Sequence, residues 1–251
     1  MEIKFINITE EDFSSKKFLN KYMSLESALK TLNNKKLWFA NPSIWKDPFE
    51  KRFIEAKYDD STKISDFIWK DRIFCICMTQ TATSEAYWNT YSQKQIGIEF
   101  KIVRKTLLEE LNRYTSQYDI YIGKVEYMKT SNIKHAINKI PFAKPIPKSQ
   151  SPEWYARLLL LKRIAYKYED EIRIIMIKKD KTKESGIYLD YQCENTDLIK
   201  LIFLDPSIQD NITNLLKEVF ENKYRFTTIK NTHRVMKSQL YAKQKPQNLK
   251  I

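Results

Sequence analysis

The stretch Tyr168-Glu169-Asp170-Glu171-Ile172-Arg173 holds the densest group of side chains able to do chemistry in this 251-residue chain. In an extended backbone alternate side chains share a face, so Glu169, Glu171 and Arg173 project together while Ile172, Ile174 and Met176 project from the other side. Carboxylates two residues apart on a strand stand about 7 Å from each other. One can stabilise a developing cation while its neighbour orients or deprotonates a nucleophile, as when two acids flank a glycosidic bond. Taken alone, the Glu-x-Glu pair reads first as a solvated strand edge whose acids pair with Arg173, because charge runs usually face water.

Other chemistries are poorly provided for. Gly97, Gly123 and Gly186 are the only glycines, which leaves no loop of the phosphate-cradling kind. His135 and His233 stand apart from Cys75, Cys77 and Cys193, so zinc-ligand spacing is missing and no metal is expected. An odd cysteine count with a Cys-x-Cys spacing suits a reducing compartment better than a disulfide framework. Cys75 and Cys77 read as small apolar residues of a strand.

Lys and Arg outnumber Asp and Glu by 44 to 31, a net charge of +13, and such a field concentrates anions around a protein. The same excess also serves plain solubility. It sharpens beyond Glu221, where Lys223, Arg225, Lys230, Arg234 and Lys237 occur without an acid and with Tyr224 and Phe226 between them. Basic groups interleaved with aromatics can neutralise phosphates and stack on bases, so these five are candidate nucleic-acid contacts in a basic segment of about residues 223–251. Met1 to Phe13 contains Glu2, Glu10, Glu11 and Asp12, a composition unlike a signal peptide. No apolar run approaches the roughly 20 residues that span a bilayer. A cytoplasmic protein without a membrane partner is expected.

The elements that must position these residues mix strands and helices without a βαβ rhythm, which predicts an α+β fold in a single domain over 1–251. Leu25, Ala28, Leu29 and Leu32 mark a helix capped by Ser24 and closed at Asn33-Asn34. Strands are expected at Leu37–Ala40, Ile73–Met78, Gln95–Phe100, Tyr118–Met128, Glu169–Ile177, Leu198–Leu204 and near Phe226–Ile229. Helices are expected after Ser84 (with Tyr87, Trp88 and Tyr91), over Lys105–Arg113, Glu153–Lys167 and Ile208–Asn222. Turns fall at Asn41-Pro42 and Asp47-Pro48, and Pro141, Pro145, Pro147 and Pro152 form a loop.

Six short motifs occur in a fixed order: Lys21-Tyr22-Met23-Ser24, Leu37-Trp38-Phe39-Ala40-Asn41-Pro42, Asp47-Pro48-Phe49-Glu50, Trp88-x-x-Tyr91, Gly97-Ile98-Glu99-Phe100 and Tyr168-Glu169-x-Glu171-x-Arg173. The series, from about Phe18 to Leu204, resembles a widespread bacterial family known as a domain of unknown function (number twenty-nine seventy-one). That family in turn resembles ADP-ribosyltransferases, including toxins of anti-phage and toxin–antitoxin systems. The resemblance implies a split, two-sheet β core with flanking helices and NAD as co-substrate. Carried over by position, Lys21 to Ser24 would be the first motif, Cys77-Met78-Thr79 the second, and Glu169 with Glu171 the third. Glu171 would then hold the ribose and stabilise its oxocarbenium-like state, and Glu169 would orient or deprotonate the acceptor. Tyr91 or Trp88 would stack on nicotinamide, and Arg173, Lys21 or Arg52 would meet the pyrophosphate, with Tyr22, Ser24 and Thr79 also at the NAD site. Many relatives carry Arg where this chain has Met23, which transfers that anchoring task to Lys21 or a neighbour, or removes NAD binding.

The resulting expectation is an ADP-ribosyltransferase that modifies nucleic acid, RNA before DNA, as a toxin or defence effector with an antitoxin or chaperone partner. The alternatives are an enzyme of the same kind acting on protein, a non-catalytic nucleic-acid-binding module of the same fold, and a plain NAD glycohydrolase.

Overall fold

The runs Ile73-Phe74-Cys75-Ile76 and Ile174-Ile175-Met176-Ile177 are apolar at successive residues, a pattern that suits strands covered on both faces. The computed structural model, which describes residues 2–55, 57–59, 64–66, 69–81, 84–91, 96–139, 151–180, 184–228 and 234–241, places both in the interior of a mixed ten-stranded sheet. The strands are β1 (Lys4–Ile6), β2 (Phe18–Ser24), β3 (Lys36–Ala40), β4 (Lys57–Asp59), β5 (Ile64–Asp66), β6 (Ile73–Thr79), β7 (Gly97–Val103), β8 (Tyr118–Lys124), β9 (Glu126–Met128), β10 (Leu161–Arg163), β11 (Glu171–Lys178), β12 (Gly186–Asp190), β13 (Ile199–Leu204) and β14 (Val235–Lys237). The helices are α1 (Glu10–Ser15), α2 (Leu25–Asn34), α3 (Pro48–Glu55), α4 (Glu85–Tyr91), α5 (Arg104–Asn112), α6 (Thr130–Lys139), α7 (Pro152–Leu158), α8 (Asn195–Leu198) and α9 (Asp210–Tyr224). This is an α+β protein.

The main sheet runs β1-β8-β11-β6-β2-β7-β13-β14, with β3 joining β6 and β12 joining β3. Its centre is an antiparallel trio in which Glu171 lies opposite Thr79, and Arg173 lies between Cys77 and Gly123. On its other side β6 is barely attached. It meets β2 only at Asn20–Thr79 and β3 only at Ala40–Cys75, whereas β2 pairs with β7 along its whole length. The sheet therefore opens beside β6, between its contact with β3 at Cys75 and its contact with β2 at Thr79.

Strand alternation sorts the side chains. Phe74, Ile76 and Met78 of β6, with Ile172, Ile174 and Met176 of β11, enter the larger core beneath α2, α5 and α9. Ile73 and Cys75, with Ile175 and Ile177, enter a second core on the opposite face, covered by Trp154, Tyr155 and Leu158–Leu161. Glu171 and Arg173 share that second face, at the end of β11 nearest the gap.

Local signals account for most boundaries. The Ser24 hydroxyl accepts from the Ser27 N–H at 3.2 Å, which caps α2, and Lys35 ends that helix in the left-handed region at φ 49°. Elsewhere the expectations need correction. The single helix expected over Glu153–Lys167 is α7, then β10, then a 3-10 turn at Ile164–Glu169. Leu158 to Leu161 are all buried, which one helical stripe cannot achieve, and Leu161–Arg163 pairs with β9 instead. The strand expected over Tyr118–Met128 breaks at Val125, whose N–H turns to the Glu171 carbonyl at 3.0 Å. Phe226 is a buried plug after α9 rather than a strand residue, its N–H bonded to the Phe220 carbonyl; Ile229 lies outside the described residues. So do Gln95, Pro141, Pro145 and Pro147. No described helix is long and apolar enough to cross a membrane.

Candidate functional site

Glu171 opens β11 and is only 5% exposed, and Arg173 is 1% exposed. The solvated strand edge expected for this motif is thus overturned: β11 is interior, and its charged end is held in a buried ionic cluster. Arg173 donates through Nε to Glu171 Oε1 at 3.0 Å and through Nη2 to Glu171 Oε2 at 3.0 Å. The same Nη2 bonds Glu50 of α3, and Nη1 bonds the Leu159 carbonyl at the end of α7. The Trp45 ring lies over the guanidinium, 4.5 Å from its carbon. Lys162, on β10, donates to Glu169 and to Glu171 Oε2 at 3.1 Å and stands 3.9 Å from Glu50 Oε2. Three carboxylates thus share two cations, leaving one net negative charge.

The strand does not extend to Glu169. That residue ends the 3-10 turn, and Asp170 follows in the left-handed region at φ 37°, a conformation Asp tolerates better than most residues. The kink still delivers the Glu169 and Glu171 carboxylates to one ammonium. It is fastened from the backbone: Thr79 Oγ1 and the Tyr87 hydroxyl both donate to the Glu169 carbonyl, and the Gln80 N–H donates to the Asp170 carbonyl at 3.1 Å. The Glu171 N–H is taken by the Tyr127 hydroxyl at 3.0 Å.

The two acids differ in protonation. Burial raises the Glu169 carboxyl to about 7, with the Glu171 charge adding to it and Lys162 opposing. Burial also acts to raise Glu171, but Arg173 and Lys162 outweigh it and hold that carboxyl well below its usual range. Near neutral pH, Glu171 is therefore ionised while Glu169 exchanges a proton. Lys21, across the gap on β2, donates to the Cys77 carbonyl at 3.0 Å. Burial lowers its pKa, partly offset by Cys77 and Glu171.

A cleft of about 590 Å³ opens over these groups, within the range of ligand sites. Its floor is Glu50, Lys162, Glu169, Glu171 and Arg173, and its walls include Lys21, Trp38, Trp45, Lys46 and Tyr166. A side pocket of about 10 Å³, room for a single water, runs between Thr79, Tyr87 and Tyr22 to the same pair of acids.

The sequence-expected residues separate accordingly. Lys21, Glu169, Glu171 and Arg173 meet in the cleft, and Thr79 braces the Glu169 backbone. Tyr22 and Trp88 pack with Tyr87 in a buried aromatic group, Tyr22 stacked on Tyr87 at 4.8 Å and edge-on to Trp88 at 4.9 Å. Ser24 is a helix cap. Arg52 and Tyr91 lie on α3 and α4, with side chains outside the described set. Of the basic group, Lys223 and Arg225 are exposed, and Lys237 pairs with Asp210 at 2.9 Å. Arg234 is buried, bonding the carbonyls of Thr196, Ile199 and Lys200 and lying over Phe226. Lys230 lies outside the described residues. Lys162, Trp45, Lys46 and Tyr166 were missed. Lys162 closes an apolar run and carries no signal of its own, whereas Glu50 stood in an ordered motif without an assigned role.

This is an α+β protein whose central strand ends in a buried ionic cluster beneath an aromatic-walled cleft. Residues 87–174 match a family described as Protein of unknown function (DUF2971), the family to which the ordered motifs pointed. The matched stretch includes Lys162, Glu169, Glu171 and Arg173. No curated protein and no solved structure matches the chain.

Proposed function

We propose that this protein is an NAD-dependent ADP-ribosyltransferase acting on nucleic acid, RNA before DNA, with Glu171 at the reacting ribose. The observation that carries this reading is the geometry of the cleft floor, where Glu169 and Glu171 meet on one Lys162 ammonium and Arg173 holds Glu171 alone of the two, at 3.0 Å. In the reaction the bond from ribose C1′ to the nicotinamide nitrogen breaks, and its electron pair leaves with neutral nicotinamide. The cation left on the ribose needs a fixed negative charge, which Glu171 supplies. The acceptor oxygen or nitrogen then bonds to C1′ and loses its proton to Glu169.

The surroundings fit a dinucleotide. Trp45 and Tyr166 offer flat surfaces for nicotinamide, a task that the packed Trp88 is not placed to perform. Lys21 and the exposed Lys46 offer charge for the pyrophosphate, whereas Arg173 is engaged by Glu171 and Glu50. The opening of the sheet beside β6 supports the split-core architecture of ADP-ribosyltransferases, and the net charge of +13 supports a polyanionic acceptor. Growth arrest or phage defence, checked by an antitoxin or chaperone, is the setting such an activity would serve.

A second reading is a non-catalytic nucleic-acid-binding module, favoured by Met23 in the first motif and by the internal neutralisation of Arg173. Incubation of radiolabelled NAD with RNA, DNA and cell protein separates these readings. Label on RNA that is lost in Glu171→Gln supports the transferase. Label on protein alone moves the acceptor, and no label with no nicotinamide released leaves the binding module.

A further inference from the structure

We propose that the outer face of the antiparallel β3–β12 pair is a stacking platform for a base of single-stranded nucleic acid, leading the acceptor into the cleft. Leu37 and Phe39 of β3, and Ile187 and Leu189 of β12, point into the larger core. Alternation turns Trp38 and Tyr188 outward, directly opposite each other in the register. They are 37% and 53% exposed, and their ring centroids are 4.6 Å apart. The next pair along this face is Ala40 and Gly186. A Cβ at Gly186 would lie 2.2 Å from Trp38 Cζ2, so the missing side chain lets the indole lie across the neighbouring strand. Trp38 and Ala40 also line the cleft, which makes the platform continuous with it.

The surroundings decide the occupant. Lys36 shares this face in an exposed pair with Asp190 at 3.3 Å, and the exposed Lys46 lines the cleft beside Trp38. Two rings rimmed by charge make too small an apolar area for a protein partner, which typically needs about 800 Å² from each side. They suit a base, whose face stacks on aromatics while neighbouring lysines meet its phosphates. The proposal rests on nucleic acid being the acceptor, and its test does not require turnover.

Fluorescein-labelled octauridylate is titrated by anisotropy at several salt concentrations with wild type, Trp38→Ala, Tyr188→Ala and Trp38→Phe, each first shown to melt cooperatively. Wild type is expected to bind with salt-sensitive affinity. Each alanine variant should lose about tenfold, the scale of one base stack, while Trp38→Phe stays near wild type. Alanine variants that bind as tightly as wild type, or a wild type that does not bind, overturn the platform. NAD binding is measured on the same set. If Trp38→Ala weakens NAD and spares the oligonucleotide, the rings serve the adenine of the co-substrate and the platform is likewise overturned. Nicotinamide release, assayed separately, reports on the transferase reading alone.

Discussion

Replacing Lys162 with methionine tests whether the buried cluster is one coupled unit. The Lys162 side chain is 8% exposed and, among the described residues, is the only cation within ion-pair distance of Glu169, while Glu171 retains Arg173. With all three acids ionised, its removal takes the cluster from one net negative charge to two, on the floor of the cleft beside Trp45 and Tyr166. Breaking a buried pair by deleting one partner typically costs about 3–5 kcal/mol. At roughly 2–4 °C per kcal/mol for a chain of this size, Tm should fall by about 6–20 °C. Glu169 would relieve part of this by binding a proton, so the loss should shrink at acid pH. In the double variant Lys162→Met, Glu169→Gln the stranded acid is gone, and about 1–3 kcal/mol of the loss should return as interaction energy. Urea unfolding of wild type, both single variants and the double variant, followed by tryptophan fluorescence, closes the cycle. Losses that sum within about 0.5 kcal/mol would show the two side chains to be uncoupled and refute the reasoning.

Glu169 also sets a pH dependence. An acid whose folded pKa is raised to about 7 contributes stability at low pH that fades as pH rises from its unfolded value through 7. Glu169→Gln should therefore flatten the stability profile between about pH 4.5 and 7, and an unchanged slope would count against the assignment. Arg234→Met should destabilise the fold by about 1–3 kcal/mol, because it takes a donor from the buried Ile199 carbonyl and from the part-buried carbonyls of Thr196 and Lys200. Lys223→Ala should leave stability unchanged and lower the salt slope of oligonucleotide binding by about one, measured by anisotropy.

The readable parts of the sequence were those where one local rule acts alone. Ser24 capped its helix, the spacing of Leu25, Ala28, Leu29 and Leu32 marked that helix's buried stripe, and Ile73–Met78 was legible as an apolar strand. The motif at Glu169–Arg173 stood out as the densest charged group, and its environment was misread. Glu-x-Glu-x-Arg on one face looks like a wet edge, because the partners that make burial tolerable are Glu50 and Lys162, the first more than a hundred residues away. Lys162 was hidden for the same reason: a lysine after four leucines reads as the end of a helix until β9 pairs with it. Arg234 shows the reverse error, a basic residue in a basic tail whose donors are spent on the fold. Charge in a sequence gives sign and density, but not which side chains are already neutralised within the protein.

The most direct measurement is nicotinamide release from NAD by wild type and by Glu171→Gln, with single-stranded RNA present and with RNA absent. The cleft chemistry calls for release that RNA accelerates, with ADP-ribose appearing on the RNA. The loss in Glu171→Gln should be about 100- to 1,000-fold, the scale of one electrostatic stabiliser at a transition state. Equal release by the two proteins, or none from the wild type, would contradict it.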